Sequence, residues 1–129
     1  MTASELRYLI AIDELCQENV AVKQSDLATK LCVTKVSAFN AMERLCEKGF
    51  VVKNKRVLTL TERGKSILSD YRSIIEFMAS HLSFHCGTPS ETAHKDALNA
   101  SCALSDETRD GIARFLEKLR TEKGYEPRV

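Results

Sequence analysis

The chain reads as a mainly α protein. It predicts a winged helix-turn-helix, three helices plus a two-stranded β wing, followed by an α-helical dimerisation region. Three observations predict this. Apolar residues recur at helical spacing before Gly49 and again after Thr61, broken by short turn-forming stretches. Two β-rich runs, Phe50-Val51-Val52 and Val57-Leu58-Thr59-Leu60, flank a basic Lys53-Asn54-Lys55-Arg56 tip. Positive charge is concentrated between Val20 and Lys65. Ten basic residues there stand against four acidic ones, a net +6 in a protein whose total is +1.

Each element has its own signal. Thr2-Ala-Ser-Glu5 is a capping-box pattern that opens a first helix, with Leu6, Leu9, Ile10, Ile12 and Leu15 at helical spacing up to about Cys16. Ser25 and Asp26 start a short helix carrying Leu27, Ala28 and Leu31. Cys32-Val33-Thr34 is a brief connection, and Thr34 can cap the next helix, from about Lys35 to Lys48. Gly49 supplies the left-handed residue that ends it. Thr61 opens a long helix through Leu68, Ile74, Phe77 and Met78 to about Leu82. Thr88-Pro-Ser-Glu91 reads as a second capping box with Pro89 at the first helical position. The helix behind it is rich in small residues: Ala93, Ala97, Ala100 and Ala103. Ser105-Asp-Glu starts the last helix, with Ile112, Ala113, Phe115, Leu116 and Leu119 on one face.

The expected organisation is a winged-helix DNA-binding domain over 1–64, a helical dimerisation domain over 65–120 and a polar tail over 121–129. Aromatics are scarce and Trp is absent, which disfavours stacking on single-stranded nucleic acid. No apolar run is long enough to span a bilayer, and the N-terminus lacks a secretory pattern. The five cysteines are odd in number and widely spread, so they read as reduced thiols in a cytoplasmic protein. No Gly-rich phosphate loop, nucleophile elbow or His-Glu-x-x-His is present, and the expectation is that the protein is not an enzyme.

The charge and the helical hairpin point to double-stranded DNA. A major groove admits one helix and shows a distinct donor and acceptor pattern for each base pair. In the helix from Lys35, placing Val36, Phe39, Met42 and Leu45 in the core leaves Lys35, Ser37, Ala38, Asn40, Ala41 and Arg44 outside. Asn40 can pair with adenine, Lys35 and Ser37 can reach a base or a phosphate, and Ala38 can touch a thymine methyl. Lys53, Lys55 and Arg56 at the hairpin tip suit phosphate contact. Ser25, Thr34 and Arg44 complete the expected DNA-binding set. The alternative is a winged-helix protein-interaction module without DNA binding, using the small-residue helix and the apolar face of the last one. A basic loop is often only a solvated loop.

Several segments are similar to the metal-dependent repressors of the diphtheria-toxin-repressor and manganese-transport-regulator type. They are Tyr8-Leu-Ile-Ala-Ile, Ser25-Asp-Leu-Ala with Leu31-Cys-Val-Thr34, Ala41-Met-Glu-Arg-Leu-Cys-Glu-Lys-Gly49, Leu60-Thr-Glu-Arg-Gly64 and Ala103-Leu-Ser-Asp-Glu107. The resemblance covers roughly residues 5 to 118. It implies a homodimer built on the C-terminal helices, a repressor role and the short form without an SH3-like domain. It also implies a manganese or iron site. At the matching ligand positions this chain has Arg7, Ile10, Ile75 or Ser73, Leu98, Ser101 and Cys102, and only Cys102, with His94 at an accessory position, keeps a donor atom. Leu, Ile and Arg do not coordinate hard divalent cations. A relocated site would draw on His81, His85, Cys86, His94 and Cys102, a mixed imidazole and thiolate set suited to zinc. The competing reading is surface histidines and small core cysteines near a helix end. The cofactor therefore stays open between none and a relocated metal, and the effector is unknown.

Overall fold

The computed structural model describes residues 1–18 and 21–123. Six helices and one hairpin follow in order: α1 (Ala3–Gln17), α2 (Gln24–Leu31), α3 (Lys35–Glu47), β1 (Val51–Asn54), β2 (Val57–Leu60), α4 (Glu62–Cys86), α5 (Ser90–Cys102) and α6 (Asp106–Lys123). They form two compact units, Met1–Leu68 and the residues from Ser69 onward, and the division falls within α4.

In the first unit, α1 starts where the Thr-x-x-Glu pattern predicts. The Glu5 N–H donates to Thr2 Oγ1 at 3.1 Å and the Thr2 N–H donates to Glu5 Oε1 at 3.0 Å. Leu6, Leu9 and Ile12 are wholly buried, and α1 packs on α2, α3 and β2. Burial of these three side chains contributes about 1.5–3 kcal/mol each. Glu5 is buried with them and accepts a hydrogen bond from Lys48 Nζ at 2.7 Å, which ties the start of α1 to the end of α3.

Three residues join α2 to α3, as the sequence predicts. Cys32 takes a left-handed backbone, φ 55°, so that the Val33 N–H reaches the Ala28 carbonyl at 3.0 Å. Thr34 caps α3 as expected, accepting the Ser37 N–H at 3.1 Å. Gly49, φ 78°, closes α3. The Phe50 N–H bonds back to the Leu45 carbonyl and the Gly49 N–H to that of Cys46, both at 3.0 Å.

The hairpin is antiparallel, with Val51 opposite Leu60 and Lys53 opposite Leu58. β1 runs on through Lys53 and Asn54, so the turn is only Lys55-Arg56, both at positive φ. Leu58 is wholly buried, and its N–H donates to the Val22 carbonyl at 2.8 Å. The Thr61 hydroxyl donates to the Gly49 carbonyl at 2.6 Å and accepts the Gly64 N–H at 3.0 Å. Gly64 lies against Phe50 so closely that a Cβ there would sit 2.1 Å from the Phe50 carbonyl oxygen.

In the second unit, α4 extends one turn beyond the expected end at Leu82. The capping box expected at Thr88 does not form. Pro89 is the N-cap of α5, the first bond of that helix runs from the Ala93 N–H to the Pro89 carbonyl, and Thr88 lies one residue too far out. Ser105 caps α6, its Oγ accepting the Thr108 N–H at 3.2 Å. The last helix includes Thr121–Lys123, residues expected in the tail, while 124–129 lie outside the described residues. Arg109 bonds to Asp110, Asp106 and the Tyr71 hydroxyl, joining α6 to α4 within this unit.

Candidate nucleic-acid interface

Helix α3 does not turn the face that its spacing predicts. Ala38, Ala41, Met42 and Leu45 form the buried stripe, whereas Val36 is 68% and Phe39 47% exposed. Ala38 is therefore not available to a thymine methyl, and the core positions expected for Val36 and Phe39 are corrected. The reason lies in the helical period. Steps of three residues drift round a helix by about 60° each, while positions 38, 41, 42 and 45 stay on one side. Two of the four buried residues are alanines, and α3 packs on α2, β1 and α1.

The outward face of α3 then carries Lys35, Val36, Phe39, Asn40, Glu43, Arg44 and Glu47. Lys35, Asn40 and Arg44 are exposed as predicted, and Ser25 is exposed near the start of α2. Thr34 and Ser37 are also exposed, but they are engaged with each other, the Thr34 hydroxyl donating to Ser37 Oγ at 2.9 Å. Val36, Phe39 and Glu43 were absent from the predicted set. Assigning the buried stripe by the i, i+3, i+4, i+7 pattern would have found them.

The positive charge of this unit is partly tied up. Lys48 pairs with Glu5, Lys30 with Glu14 at 3.1 Å and Lys65 with Glu62 at 3.4 Å, while the Arg63 guanidinium stacks 5.0 Å from the centroid of the Phe50 ring. Among the described residues, no salt bridge joins a carboxylate to Lys35, Arg44, Lys53, Lys55 or Arg56, and all five side chains are exposed. The wing tip, Lys35 in the first turn of α3 and Arg44 in its third thus present cations. The third and fourth turns of α3 carry Glu43 and Glu47.

Electrostatics also mark the buried Glu5, paired with the exposed Lys48. Burial by itself raises the Glu5 carboxyl, but hydrogen bonds from Lys48 and Thr2 outweigh it and hold the group down to about 2. Burial pushes the thiols of Cys16 and Cys46 up. A raised thiol makes less thiolate, so neither resembles an activated nucleophile.

The candidate metal residues lie in the second unit. His81 and His85 stack nearly parallel, 12° apart in plane with centroids at 5.2 Å, between Phe77 and Phe84. A ring nitrogen's lone pair lies in its ring plane, so two parallel rings do not converge on one ion. His94 Nδ1 lies 2.8 Å from the Ser90 carbonyl oxygen. Cys86 is exposed and Cys102 half-buried. Among the described residues no three His, Cys, Asp or Glu side chains are grouped to hold a metal ion. The positions matching the repressors' ligands fit no better. Ile75 is buried and apolar, and the Ser101 hydroxyl is bound to the Ala97 carbonyl at 2.6 Å. The residues present do not suit the manganese or iron implied by the resemblance.

An apolar cavity of about 460 Å³ opens between α4 and α6, lined by Ile74, Phe77, Met78, His81, Ile112 and Phe115 among others. No helix of the described residues is long and apolar enough to cross a membrane.

No family model matches the chain. A curated relative, an uncharacterised HTH-type transcriptional regulator of Methanocaldococcus jannaschii, is 29% identical over 109 residues, covering 81% of this chain and 84% of the relative. A hypothetical protein from Sulfolobus solfataricus matches over the full length of both chains, with a TM-score of 0.70 and 21% identity. The manganese regulator SloR matches over 88% of this chain with a TM-score of 0.72 and 21% identity, and this chain spans 53% of its length. The fold is that of the winged-helix regulators of the diphtheria-toxin-repressor type.

Proposed function

We propose that the protein is a homodimeric DNA-binding transcriptional regulator, acting as a repressor in the cytoplasm. In this reading the first turns of α3 enter the major groove and the Lys53-to-Arg56 wing tip lies on the flanking backbone. The observation that carries it is the set of five exposed cations without a carboxylate partner, Lys35, Arg44, Lys53, Lys55 and Arg56, gathered on one helical hairpin and its wing. Asn40, exposed two turns into α3, is suited to adenine. Ser25 and Ser37 offer hydroxyl donors to phosphates, and Thr34, whose hydroxyl donates to Ser37, holds that side chain at the start of α3. The curated relative's description as an HTH-type transcriptional regulator supports the same reading.

A two-fold dimer would place the two α3 helices on half-sites about one helical turn, ~34 Å, apart. The apolar cavity between α4 and α6, with Phe115 exposed at its edge, supports self-association through the second unit. The cofactor stays open between none and a relocated metal, and the chelator arm of the test below separates the two.

The test is fluorescence anisotropy with DNA from upstream of the protein's own gene, in chelator and then with manganese, ferrous iron or zinc. Salt-sensitive, sequence-dependent binding in chelator is expected. A protein that stays monomeric and ignores duplex DNA under all these conditions would be a protein-interaction module instead.

A further inference from the structure

Val36 and Phe39 are large apolar side chains exposed on the helix face that carries Asn40, outside the buried stripe of α3. Phe39 is at i+3 and Asn40 at i+4 from Val36, so Val36 is the helical neighbour of both, about 5–6 Å away at the Cβ atoms. Their surroundings are cationic. Lys35 precedes them, Arg44 follows Asn40 by one turn, and the wing tip adds Lys53, Lys55 and Arg56. An anionic partner is thus drawn to the face on which the apolar pair sits.

Resting on the DNA-binding reading above, we propose that Val36 and Phe39 read the C5-methyl groups of thymines beside the adenine recognised by Asn40. In the major groove the apolar feature of a base pair is the thymine methyl. Valine and phenylalanine cannot hydrogen-bond to a base edge or a phosphate, so discrimination here comes from burying methyl surface. Glu43 and Glu47, on the same face but further along α3, face the phosphates unfavourably. They favour an N-terminus-first entry, which brings Val36 and Phe39 deepest into the groove. The preferred half-site is therefore rich in A·T pairs read from the major groove by methyl contact.

The experiment starts from duplexes selected by the full-length protein from a randomised pool. A selected duplex is then resynthesised with uracil, or with 5-bromouracil, in place of each thymine in turn. Loss of one contacted methyl should weaken binding about fourfold. The bromine, close to a methyl in size, should restore it. In the double variant Val36→Ser, Phe39→Ser, thymine and uracil duplexes should bind alike, with the salt dependence unchanged. Both positions are exposed, so the variant should keep the wild-type melting temperature. Sequence-selective binding that is indifferent to uracil would overturn the methyl reading and leave the DNA-binding reading standing. Absence of any salt-sensitive duplex binding would overturn both. A change of oligomeric mass in the double variant, with thymine discrimination intact, would instead assign the apolar pair to contact between copies of the chain.

Discussion

Lys55 and Arg56 both hold positive φ, 50° and 69°, at the tip of the wing. Side chains with a Cβ pay about 1–2 kcal/mol for each left-handed residue, and two-residue hairpins favour Asn-Gly at these places. The double substitution Lys55→Asn, Arg56→Gly should raise stability by about 1–2 kcal/mol in urea denaturation. On the proposed function it should also weaken duplex binding, because two exposed wing-tip cations are replaced by neutral residues. If affinity held while stability rose, the wing would not be touching DNA. The buried Glu5 makes a second prediction. Its carboxyl lies at about 2 in the fold against an ordinary value of 4.5. A lowered value means that its contribution is fully present above 4.5 and is lost as pH falls toward 2. Wild-type protein should therefore lose thermal stability over that range, and Glu5→Gln should flatten the decline. Removing the partner instead, by Lys48→Ala, should cost about 2 kcal/mol at neutral pH, since a buried carboxylate then lacks its charged donor.

At the level of elements, the proposed function gives α3 and the hairpin separable tasks. Asn40→Ala should relax sequence preference by about 1–3 kcal/mol, whereas Lys55→Ala should weaken all sequences alike and lower the salt slope by about one. Competition binding against matched and mismatched duplexes measures both; an exchange of the two outcomes would reverse the assignment of reader and clamp. The junction between hairpin and α4 depends on Gly64, whose missing Cβ leaves room for the Phe50 carbonyl. Gly64→Ala must push backbone against backbone and should cost about 1–3 kcal/mol, read as a lower melting temperature. The element pattern was largely legible beforehand. Thr2, Thr34, Gly49 and Ser105 act at the helix ends where their residue types predict, because capping is a local hydrogen-bond requirement. Thr88 failed because Pro89 took the cap position itself. The rotation of α3 differs from the expectation because Val, Phe, Met and Leu at steps of three resemble a core stripe, while the buried stripe includes two alanines.

For the molecule as a whole, polarised charge is the property with the widest consequence. Binding to duplex DNA should weaken steeply with salt, because each neutralised phosphate releases condensed counterions, with a slope near −0.9 per contact on a log–log plot. A flat salt dependence in anisotropy titrations would remove the electrostatic part of the mechanism. The apolar cavity between α4 and α6 should be covered in solution by a second copy, so Phe115→Asp should shift the mass toward monomer in analytical ultracentrifugation.

By itself the sequence determined the order of helices and hairpin, the three-residue turn between α2 and α3, and the basic character of the wing. All of these depend on periodicity, capping and charge, which act between near neighbours in the chain. Only the tertiary structure decided which face of α3 meets solvent, since that depends on how α1, α2 and β1 pack against it. It also decided which cations remain without a carboxylate partner, since Glu5 and Glu14 reach Lys48 and Lys30 across long stretches of sequence. The histidines, close in sequence, stack in parallel and do not converge, because ring orientation follows packing against Phe77 and Phe84 and not spacing alone.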